Sequence, residues 1–299
     1  MQKEICEFLK EHDVEYKENY PLSEISSVKI GSKADFVSYP NTEEKIIELV
    51  KFLRKNKISY KIVGRMSNVL PSDKKYEGVI LSTDKLKSYK IEDNYVRVSS
   101  GVSLPFLSKT TAEHGLSGFE KMCGIPGSVG GSVYGNAGAF GTEISDILEE
   151  VKIYDCDADS VFHLKGSDCG FTYRSSLLKG KNIVIISAGF RLTKSDLKTV
   201  KEKMRECSLI RRSTQPVGIP SLGSAFKRTA QNISAAKLID GCGLKGFKIG
   251  GASVSSKHAG FIVNLGNSTA EDYLRVADYV SDRVFEKYGV NLEKEIEVM

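Results

Sequence analysis

The sequence predicts a protein of mixed helices and strands, of the α+β or α/β class. Three observations indicate this class. The 299 residues are 40% hydrophobic and 27% charged, which excludes a disordered chain, a collagen and a small disulfide scaffold. Strand-like and helix-like segments alternate from residue 20 to about residue 195. The length corresponds to about two domains at roughly 150 residues each, and the composition changes near residue 195, where a charged helical stretch begins.

Hydrophobic spacing and capping residues predict the helices. The expected helices span residues 2–12, 42–56, 103–115, 195–212, 235–239 and 268–289. Thr42 is a good N-cap residue because its side chain can accept a hydrogen bond from an amide of the first turn. Ser268 and Glu271 have the spacing of a capping box, and Gly289 follows the last apolar residue of that helix as a C-cap.

Short apolar or alternating runs predict the strands. The expected strands span residues 58–63, 79–82, 95–99, 151–155, 160–164 and 183–192. Residues 213–224 are rich in Pro, Gly and Ser and are expected to form a linker or an active-site loop. The tail, residues 291–299, alternates, so that Glu293, Glu295 and Glu297 share one side.

Several functional classes are not expected. The first 20 residues contain no apolar core and no cleavage site of a signal peptide, and no stretch approaches the 18 apolar residues of a membrane span. The six cysteines form no CxxC pair and the four histidines form no HExxH motif, so we expect no metal site. The scattered cysteines also predict a cytoplasmic protein with reduced thiols. The net charge of +5 is too small to predict nucleic-acid binding, but it suits an enzyme with anionic small-molecule substrates.

A glycine block from Gly124 to Gly141 (GIPGSVGGSVYGNAGAFG) carries seven of the 27 glycines and no Lys or Arg. Adjacent glycines allow positive φ angles and bring several backbone N–H groups close to a bound anion. The block is not a Walker A loop, because it lacks GxxxxGK[ST]. We therefore predict a cradle for a phosphate group. The alternative is a glycine-rich turn that only packs tightly.

A second glycine motif, residues 241–246 (GCGLKG), matches GxGxxG. A dinucleotide-binding turn of this kind must follow a strand and open a helix. Here the helical stretch at 235–239 precedes it. A helix C-cap followed by a loop is therefore the better interpretation.

For three polar residues, the sequence alone allows either a plain structural role or a functional role. Arg174 follows Tyr173 in a predicted loop, so it is either a surface residue or a side chain that binds a carboxylate. Ser224 lies near Lys227 outside any GxSxG motif, so it is either a turn serine or a proton donor. Glu295 shares a strand face with two other glutamates, which is the usual pattern of a solvated face.

Together the motifs resemble the UDP-N-acetylenolpyruvoylglucosamine reductase (MurB) family from about residue 20 to residue 299, and they occur in the family's order. The matching segments are 124–131 (GIPGSVGG), 136–141 (NAGAFG), 143–146 (EISD), 173–176 (YRSS), 223–227 (GSAFK), 244–246 (LKG), 249–251 (IGG), 255–264 (SSKHAGFIVN) and 292–295 (LEKE). The short distance between Tyr173 and Ser224 resembles the short type of the family, which lacks an extra substrate loop.

The resemblance implies an α+β fold with an FAD-binding module of the PCMH (vanillyl-alcohol-oxidase-like) type and a C-terminal α+β substrate-binding subdomain. The implied boundaries are 1–20 for an N-terminal helix, 21–195 for the FAD module (subdomains about 21–90 and 91–195) and 196–299 for the substrate domain. The implied reaction belongs to peptidoglycan synthesis and thus to cell-wall biogenesis, cell shape and division. NADPH reduces FAD, and a hydride then passes from flavin N5 to UDP-N-acetylglucosamine enolpyruvate, giving UDP-N-acetylmuramate.

Matched residue by residue, the resemblance implies that Arg174, Ser224 and Glu295 are catalytic. Arg174 would stabilise the negative charge that extends into the substrate carboxylate. Ser224 would donate a proton to the second carbon of the enolate. Glu295 would act as a protonated carboxyl or polarise a neighbour, because a bare carboxylate would repel the enolate.

The resemblance also implies binding residues. Tyr173, Lys227 and Lys245 are expected to bind the UDP-sugar, the two lysines at its diphosphate, with plain surface lysines as the alternative. The expected FAD-binding residues are Gly64, Ser67, Asn68, Gly124, Ile125, Pro126, Gly127, Ser128, Gly130, Gly131, Asn136 and Gly138. No nucleic-acid or membrane partner is implied.

The sequence departs from the family pattern at Met66, where the GxGSN segment ordinarily has glycine. If that glycine serves a positive φ or a close approach, methionine strains or shifts the loop. Two other functions therefore stay open: an FAD-dependent oxidoreductase of the same fold with another substrate, and a catalytically silent paralogue.

Overall fold

The computed structural model of the protein describes residues 2–299. Over this range the α-helices are α1 (Gln2–Glu11), α2 (Glu43–Lys55), α3 (Leu104–Glu113), α4 (Val129–Tyr134), α5 (Leu197–Thr214), α6 (Ala235–Gly241) and α7 (Ala270–Tyr288). The six helices expected from the sequence are confirmed to within two residues at each end. Only α4, which lies inside the glycine block, has no counterpart among them.

The strands of the same range include every strand that the sequence predicts, to within three residues at each end. They are β1 (Glu15–Pro21), β2 (Lys33–Tyr39), β3 (Tyr60–Val63), β4 (Val69–Leu70), β5 (Tyr76–Ser82), β6 (Tyr89–Glu92), β7 (Tyr95–Ser99), β8 (Leu116–Ser117), β9 (Gly138–Ala139), β10 (Thr142–Glu143), β11 (Leu148–Asp155), β12 (Ser160–Lys165), β13 (Ile183–Arg191), β14 (Thr193–Lys194), β15 (Ser221–Ser224), β16 (Lys248–Ile249), β17 (Ala252–Val254), β18 (Phe261–Asn264) and β19 (Glu297–Val298). The expected loop at 213–224 is shorter than predicted, because α5 and β15 occupy its two ends.

Three sheets of four or five strands lie over separate hydrophobic cores. Their strand orders are β1-β2-β5-β3, β12-β11-β13-β7-β6 and β15-β18-β17-β16. Phe36, Leu49 and Val79 belong to one core, which includes the apolar stripe of α2. A second core lies among β7, β11, β13, α3 and α4, and a third contains the buried stripe of α7. The described chain therefore has the mixed helix and strand content that the sequence predicts.

By their internal contacts, the described residues divide into two units, each built from separated stretches of chain. The first unit comprises residues 2–18, Asp35–Arg65 and Glu77–Leu209, and the second comprises Asn19–Ala34, Met66–Tyr76 and Ile210–Met299. The domain boundaries at residues 20 and 195 stay a prediction, because they separate a cofactor domain from a substrate domain, whereas the two units are defined by contacts within the chain. None of the helices within residues 2–299 has the length and apolar character that a bilayer span needs.

The start of α7 corrects the predicted capping box by one residue. Thr269 is the N-cap, because its hydroxyl accepts a hydrogen bond from the Asp272 amide at 3.0 Å and the Asp272 carboxylate accepts from the Thr269 amide at 3.2 Å. The Ser268 hydroxyl instead donates to the Thr269 carbonyl. The carboxylate of Asp73 fixes this start, since it accepts hydrogen bonds from the first two amides of the helix at 2.8 and 2.9 Å.

Removing this cap is expected to destabilise the protein. We expect Thr269→Ala to lower the free energy of unfolding by about 1 kcal/mol and the melting temperature by about 2 °C, measured by thermal unfolding. Ser268→Ala is the control and is expected to have a smaller effect, because Ser268 caps no helical amide. The opposite order of the two variants would contradict the cap at Thr269.

Candidate active site

The glycine block folds as a turn, the short helix α4 and a second turn. Ser128 is the N-cap of α4, and its hydroxyl accepts a hydrogen bond from the Gly131 amide at 3.3 Å. The Gly130 amide donates to the Ser100 carbonyl at 2.8 Å, and a Cβ on Gly130 would lie 2.7 Å from the Ser100 Cβ. A side chain cannot fit there, so the close packing of this block requires glycine at residue 130.

The block meets the turn that follows β3, in the same unit. A Cβ on Gly64 would lie only 2.4 Å from the hydroxyl oxygen of Ser128, so the two backbones approach each other closely at these residues. The structure thus brings together Gly64 and Ser128, which the sequence predicts to bind the cofactor.

The surroundings of this contact suit a polar cofactor. The Ser100 hydroxyl oxygen, beside Gly130, is buried without a hydrogen-bond partner among the described residues. Gly127 has a φ of +140°, a backbone conformation that requires glycine. A backbone without bulky side chains and a buried hydroxyl with unused hydrogen-bonding capacity fit the phosphate and hydroxyl groups of FAD.

The other predicted cofactor residues, Ser67 and Asn68, belong to the second unit. The Asn68 side-chain amide donates to the Glu295 backbone carbonyl at 3.0 Å, and the Asn68 backbone carbonyl accepts from the Glu297 amide at 2.9 Å. Asn68 therefore fixes the backbone on which Glu295 lies. Met66 is buried and has a φ of +47°, so of the two possible reasons for a glycine there the positive φ applies, and methionine holds it at a cost of about 1 kcal/mol.

Arg174 lies in a tight turn with an unfavourable backbone conformation. Thr172 and Ser175 exchange two backbone hydrogen bonds, of 3.0 and 3.1 Å, around Tyr173 and Arg174. Arg174 has a φ of +55°, at the position of the turn where glycine or asparagine is ordinarily found. Residues held in such conformations concentrate at functional sites, which favours a binding role for this side chain over a plain surface role.

The Arg174 guanidinium points back to the glycine block. It donates to the Gly138 carbonyl at 2.9 Å and to a carboxylate oxygen of Glu143 at 3.2 Å, and it stacks over the Tyr173 ring with its Cζ 4.8 Å from the ring centre. The side chain is 22% exposed. The structure thus brings Tyr173 and Arg174 next to Gly138 and Asn136, within the first unit.

Ser224 and Glu295 are neighbours in the second unit. Ser224 ends β15 opposite Phe261, and the next residue, Ala225, accepts a hydrogen bond on its carbonyl from the Glu295 amide at 2.9 Å. Glu295 is half-buried, unlike the exposed Glu293. The face that carries the three glutamates is therefore not uniformly solvated, and the two residues predicted to be catalytic on this unit are held on adjoining backbone segments.

The two lysines predicted to bind the diphosphate both lie in the second unit, and both are ion-paired. Lys227 contacts Glu293, with its own side chain only 20% exposed, and its amide donates to the Glu293 carbonyl at 2.9 Å. Lys245 contacts Asp240 at 3.0 Å and is more exposed. Lys227 is thus a fixed, mostly buried cation, whereas the surroundings of Lys245 are those of a surface ion pair.

His258, in the matching segment 255–264, lies beside the chain that follows Ser224. Its Nδ1 accepts a hydrogen bond from the Gly260 amide at 3.2 Å, and the Gly260 carbonyl accepts from the Ala225 amide at 2.8 Å. Burial lowers the pKa of His258, and the positive charge of Lys245 lowers it further. The imidazole is therefore held neutral near pH 7, with its proton on Nε2.

The GCGLKG motif is confirmed as a helix end rather than a nucleotide-binding turn. It follows α6, whose C-cap is Cys242, and Gly243 has a φ of +71°. The sequence assigned no role to Glu143, although this residue lies within a matching segment. In the structure it contacts Arg174, which lies 31 residues later in the chain. Its position seven residues after Asn136 is visible in the sequence, but this spacing does not predict that Glu143 contacts Arg174.

Comparisons with known proteins agree with this architecture. Residues 34–162 match a family model described as an FAD binding domain. The fold is also that of berberine bridge enzyme from Eschscholzia californica, with a TM-score of 0.50 and 13% identity over 64% of this chain and 44% of that chain. The matched domain and the fold thus define a flavoprotein that binds FAD, as the resemblance implied.

The remaining comparisons are more specific. Residues 215–299 match the model for the C-terminal domain of UDP-N-acetylenolpyruvoylglucosamine reductase. The reductase of Caldicellulosiruptor bescii is 41% identical over 97% of this chain and 92% of its own. The crystal structure of the enzyme from Thermus caldophilus has a TM-score of 0.80 and 31% identity over 95% of this chain and 98% of that one. The chain belongs to the UDP-N-acetylenolpyruvoylglucosamine reductase family.

Proposed function

We propose that the protein uses NADPH to reduce UDP-N-acetylglucosamine enolpyruvate to UDP-N-acetylmuramate, a step of peptidoglycan synthesis. The observation that carries this proposal is the backbone hydrogen bond from Glu295 to Ala225, the residue that follows Ser224, in a chain of this family that also retains Arg174. We place the reaction in the cytoplasm, which the six free cysteines support, because thiols persist in reducing compartments.

The glycine block and the Gly64 turn hold FAD in this proposal. The glycines of the block let the pyrophosphate approach the backbone closely without a side-chain cation, and the Ser100 hydroxyl adds a buried polar group beside it. When bound, FAD supplies the hydride that it has taken from NADPH. Ser67 and Asn68 are also proposed to bind FAD.

Arg174 acts on the charge that develops in the substrate. Hydride addition at the terminal carbon leaves an enolate whose negative charge extends into the carboxylate. A guanidinium fixed in advance stabilises this charge without reorganising during the reaction. The contacts of Arg174 with Gly138 and Glu143 supply this fixed position.

Ser224 donates the proton that completes the reduction at the second carbon. A serine hydroxyl is a weak acid, but the enolate is a strong base, so a well-placed hydroxyl suffices. Glu295 then acts as a neutral carboxyl or polarises a neighbour, since a carboxylate beside the enolate would raise the barrier. Lys227 and Lys245 bind the diphosphate of the UDP-sugar, for which each exchanges its present carboxylate partner.

Two additions to the purified protein test the proposal. We expect a yellow protein that keeps its flavin through gel filtration, that bleaches with NADPH and that regains its colour with UDP-N-acetylglucosamine enolpyruvate. Flavin that bleaches but is never reoxidised by the sugar would favour an oxidoreductase with another substrate. A colourless protein that cannot be reloaded with FAD would favour the silent paralogue that Met66 suggests.

A further inference from the structure

We propose that Glu143 is a positioning residue that fixes the Arg174 guanidinium for the reduction of the sugar. The inference rests on the proposed function, in which Arg174 is catalytic. Glu143 lies in the first unit, at the end of β10 and seven residues after Asn136, and nothing else in the proposed reaction uses its carboxylate.

Both carboxylate oxygens of Glu143 have separate partners. Oε1 accepts a hydrogen bond from Arg174 Nη1 at 3.2 Å, and Oε2 accepts one from the side-chain amide of Asn136 at 2.9 Å. The Glu143 amide donates to the Asp146 carboxylate at 2.8 Å, which anchors the residue from its backbone side. The carboxylate therefore bridges the glycine block and the guanidinium and cannot rotate without losing one of the two bonds.

Asn136 makes this bridge rigid. Its side chain is 1% exposed, its amide nitrogen also donates to the Thr172 carbonyl at 3.0 Å, and its oxygen accepts from the Ser145 amide at 3.0 Å. Thr172 closes the turn that carries Arg174. One network thus fixes the turn through its backbone and the guanidinium through its charge, and Glu143 joins the two parts.

Glutamine at residue 143 would break this arrangement without removing bulk. A carboxylate accepts from both Arg174 and Asn136, whereas an amide offers one oxygen and turns its N–H groups toward the other donor. Asn136 cannot flip to accommodate the amide, because its oxygen and nitrogen are both committed to backbone groups. The guanidinium then loses its charged partner and part of its fixed orientation.

The expected effect falls on one half of the reaction. Misplacing a catalytic group by about 1 Å costs roughly 100-fold in rate, so we expect Glu143→Gln to lower kcat for the sugar by about 10- to 100-fold. Its KM for the sugar should stay within about threefold of wild type, since the role is in the transition state. The FAD content should not change, because Thr172 and Ser145 still hold Asn136, and the rate of FAD reduction by NADPH should not change, because Arg174 has no part in that half.

A double-mutant cycle with Arg174→Ala gives the decisive readout. If Glu143 acts through Arg174, Glu143→Gln lowers the turnover of wild type but has no further effect in the Arg174→Ala background. Glu149→Gln is the matched control, since Glu149 forms an exposed ion pair with Arg191 at 2.8 Å in the same unit. We expect this control to leave both half-reactions unchanged.

Several results would overturn the inference. Wild-type kcat in Glu143→Gln, an additive loss in the double variant, or a loss of FAD and of melting temperature that matches the loss of activity would each show that Glu143 has no positioning role. Failure of the proposed function is a different result, because wild type itself would then not reoxidise its flavin with the sugar, and both proposals would fall.

Discussion

Replacing Ser224 with alanine is expected to lower the turnover of UDP-N-acetylglucosamine enolpyruvate by about three orders of magnitude, as for the loss of a general acid. The reduction of FAD by NADPH should continue at the wild-type rate, because only the second half-reaction needs the proton. Rapid mixing of the oxidised enzyme with NADPH, and of the reduced enzyme with the sugar, measures the two halves separately.

The same strand offers a control. Ser221 also lies on β15 and pairs with Val263 of the neighbouring strand, as Ser224 pairs with Phe261. Ser221→Ala removes a hydroxyl of the same kind from the same sheet, so we expect no change in either half-reaction. An equal loss of both halves in Ser224→Ala would show that the hydroxyl supports the fold or the flavin and is not the proton donor.

The helices could be predicted because their signals are local. Thr42, for example, caps α2 as expected and accepts a hydrogen bond from the Lys45 amide at 3.3 Å. The helix α4 had no such signal, since two of its six residues are glycines, which have low helix propensity. It forms because Ser128 caps it and because Gly130 packs against Ser100, a contact between residues 30 apart in the chain.

Strands whose pattern is set by a partner were missed. The strand β1 (EYKENYP) is mostly polar, half-buried or exposed, and has no clear alternation; it is held by its place beside β2. Strand propensity depends on packing against neighbours more than on the segment itself. The start of α7 shows the same limit, because the carboxylate that fixes it comes from Asp73, almost 200 residues earlier.

At the site, the sequence located the motifs but not the contacts among them. It matched Arg174, Ser224 and Glu295 to positions of the family pattern, and it identified Met66 as a residue that would be strained if the backbone there has a positive φ, which it has. It did not show that Asn68 holds the Glu295 carbonyl across 227 residues. Residue types and their order indicate the chemistry, whereas the groups that fix a catalytic side chain depend on tertiary contacts.

Two substitutions of Arg174 can separate its contribution to activity from its effect on the stability of the fold. We expect Arg174→Ala and Arg174→Gly to lower the turnover of the sugar equally, by about 100- to 1,000-fold, as for the loss of a fixed group that stabilises charge in the transition state. Both variants lose the hydrogen bonds to Gly138 and Glu143. FAD reduction by NADPH should be unaffected in both.

The two variants should differ in stability. At a φ of +55° alanine keeps the strain of a left-handed backbone, whereas glycine does not. We expect the Arg174→Gly variant to be more stable than the Arg174→Ala variant, with a free energy of unfolding about 1 kcal/mol higher, measured by urea titration. Equal stability would contradict the left-handed turn, and sugar turnover at the wild-type rate in either variant would contradict the catalytic role. A position where glycine fits the backbone better, yet arginine is required for activity, is one where function and not folding determines the residue.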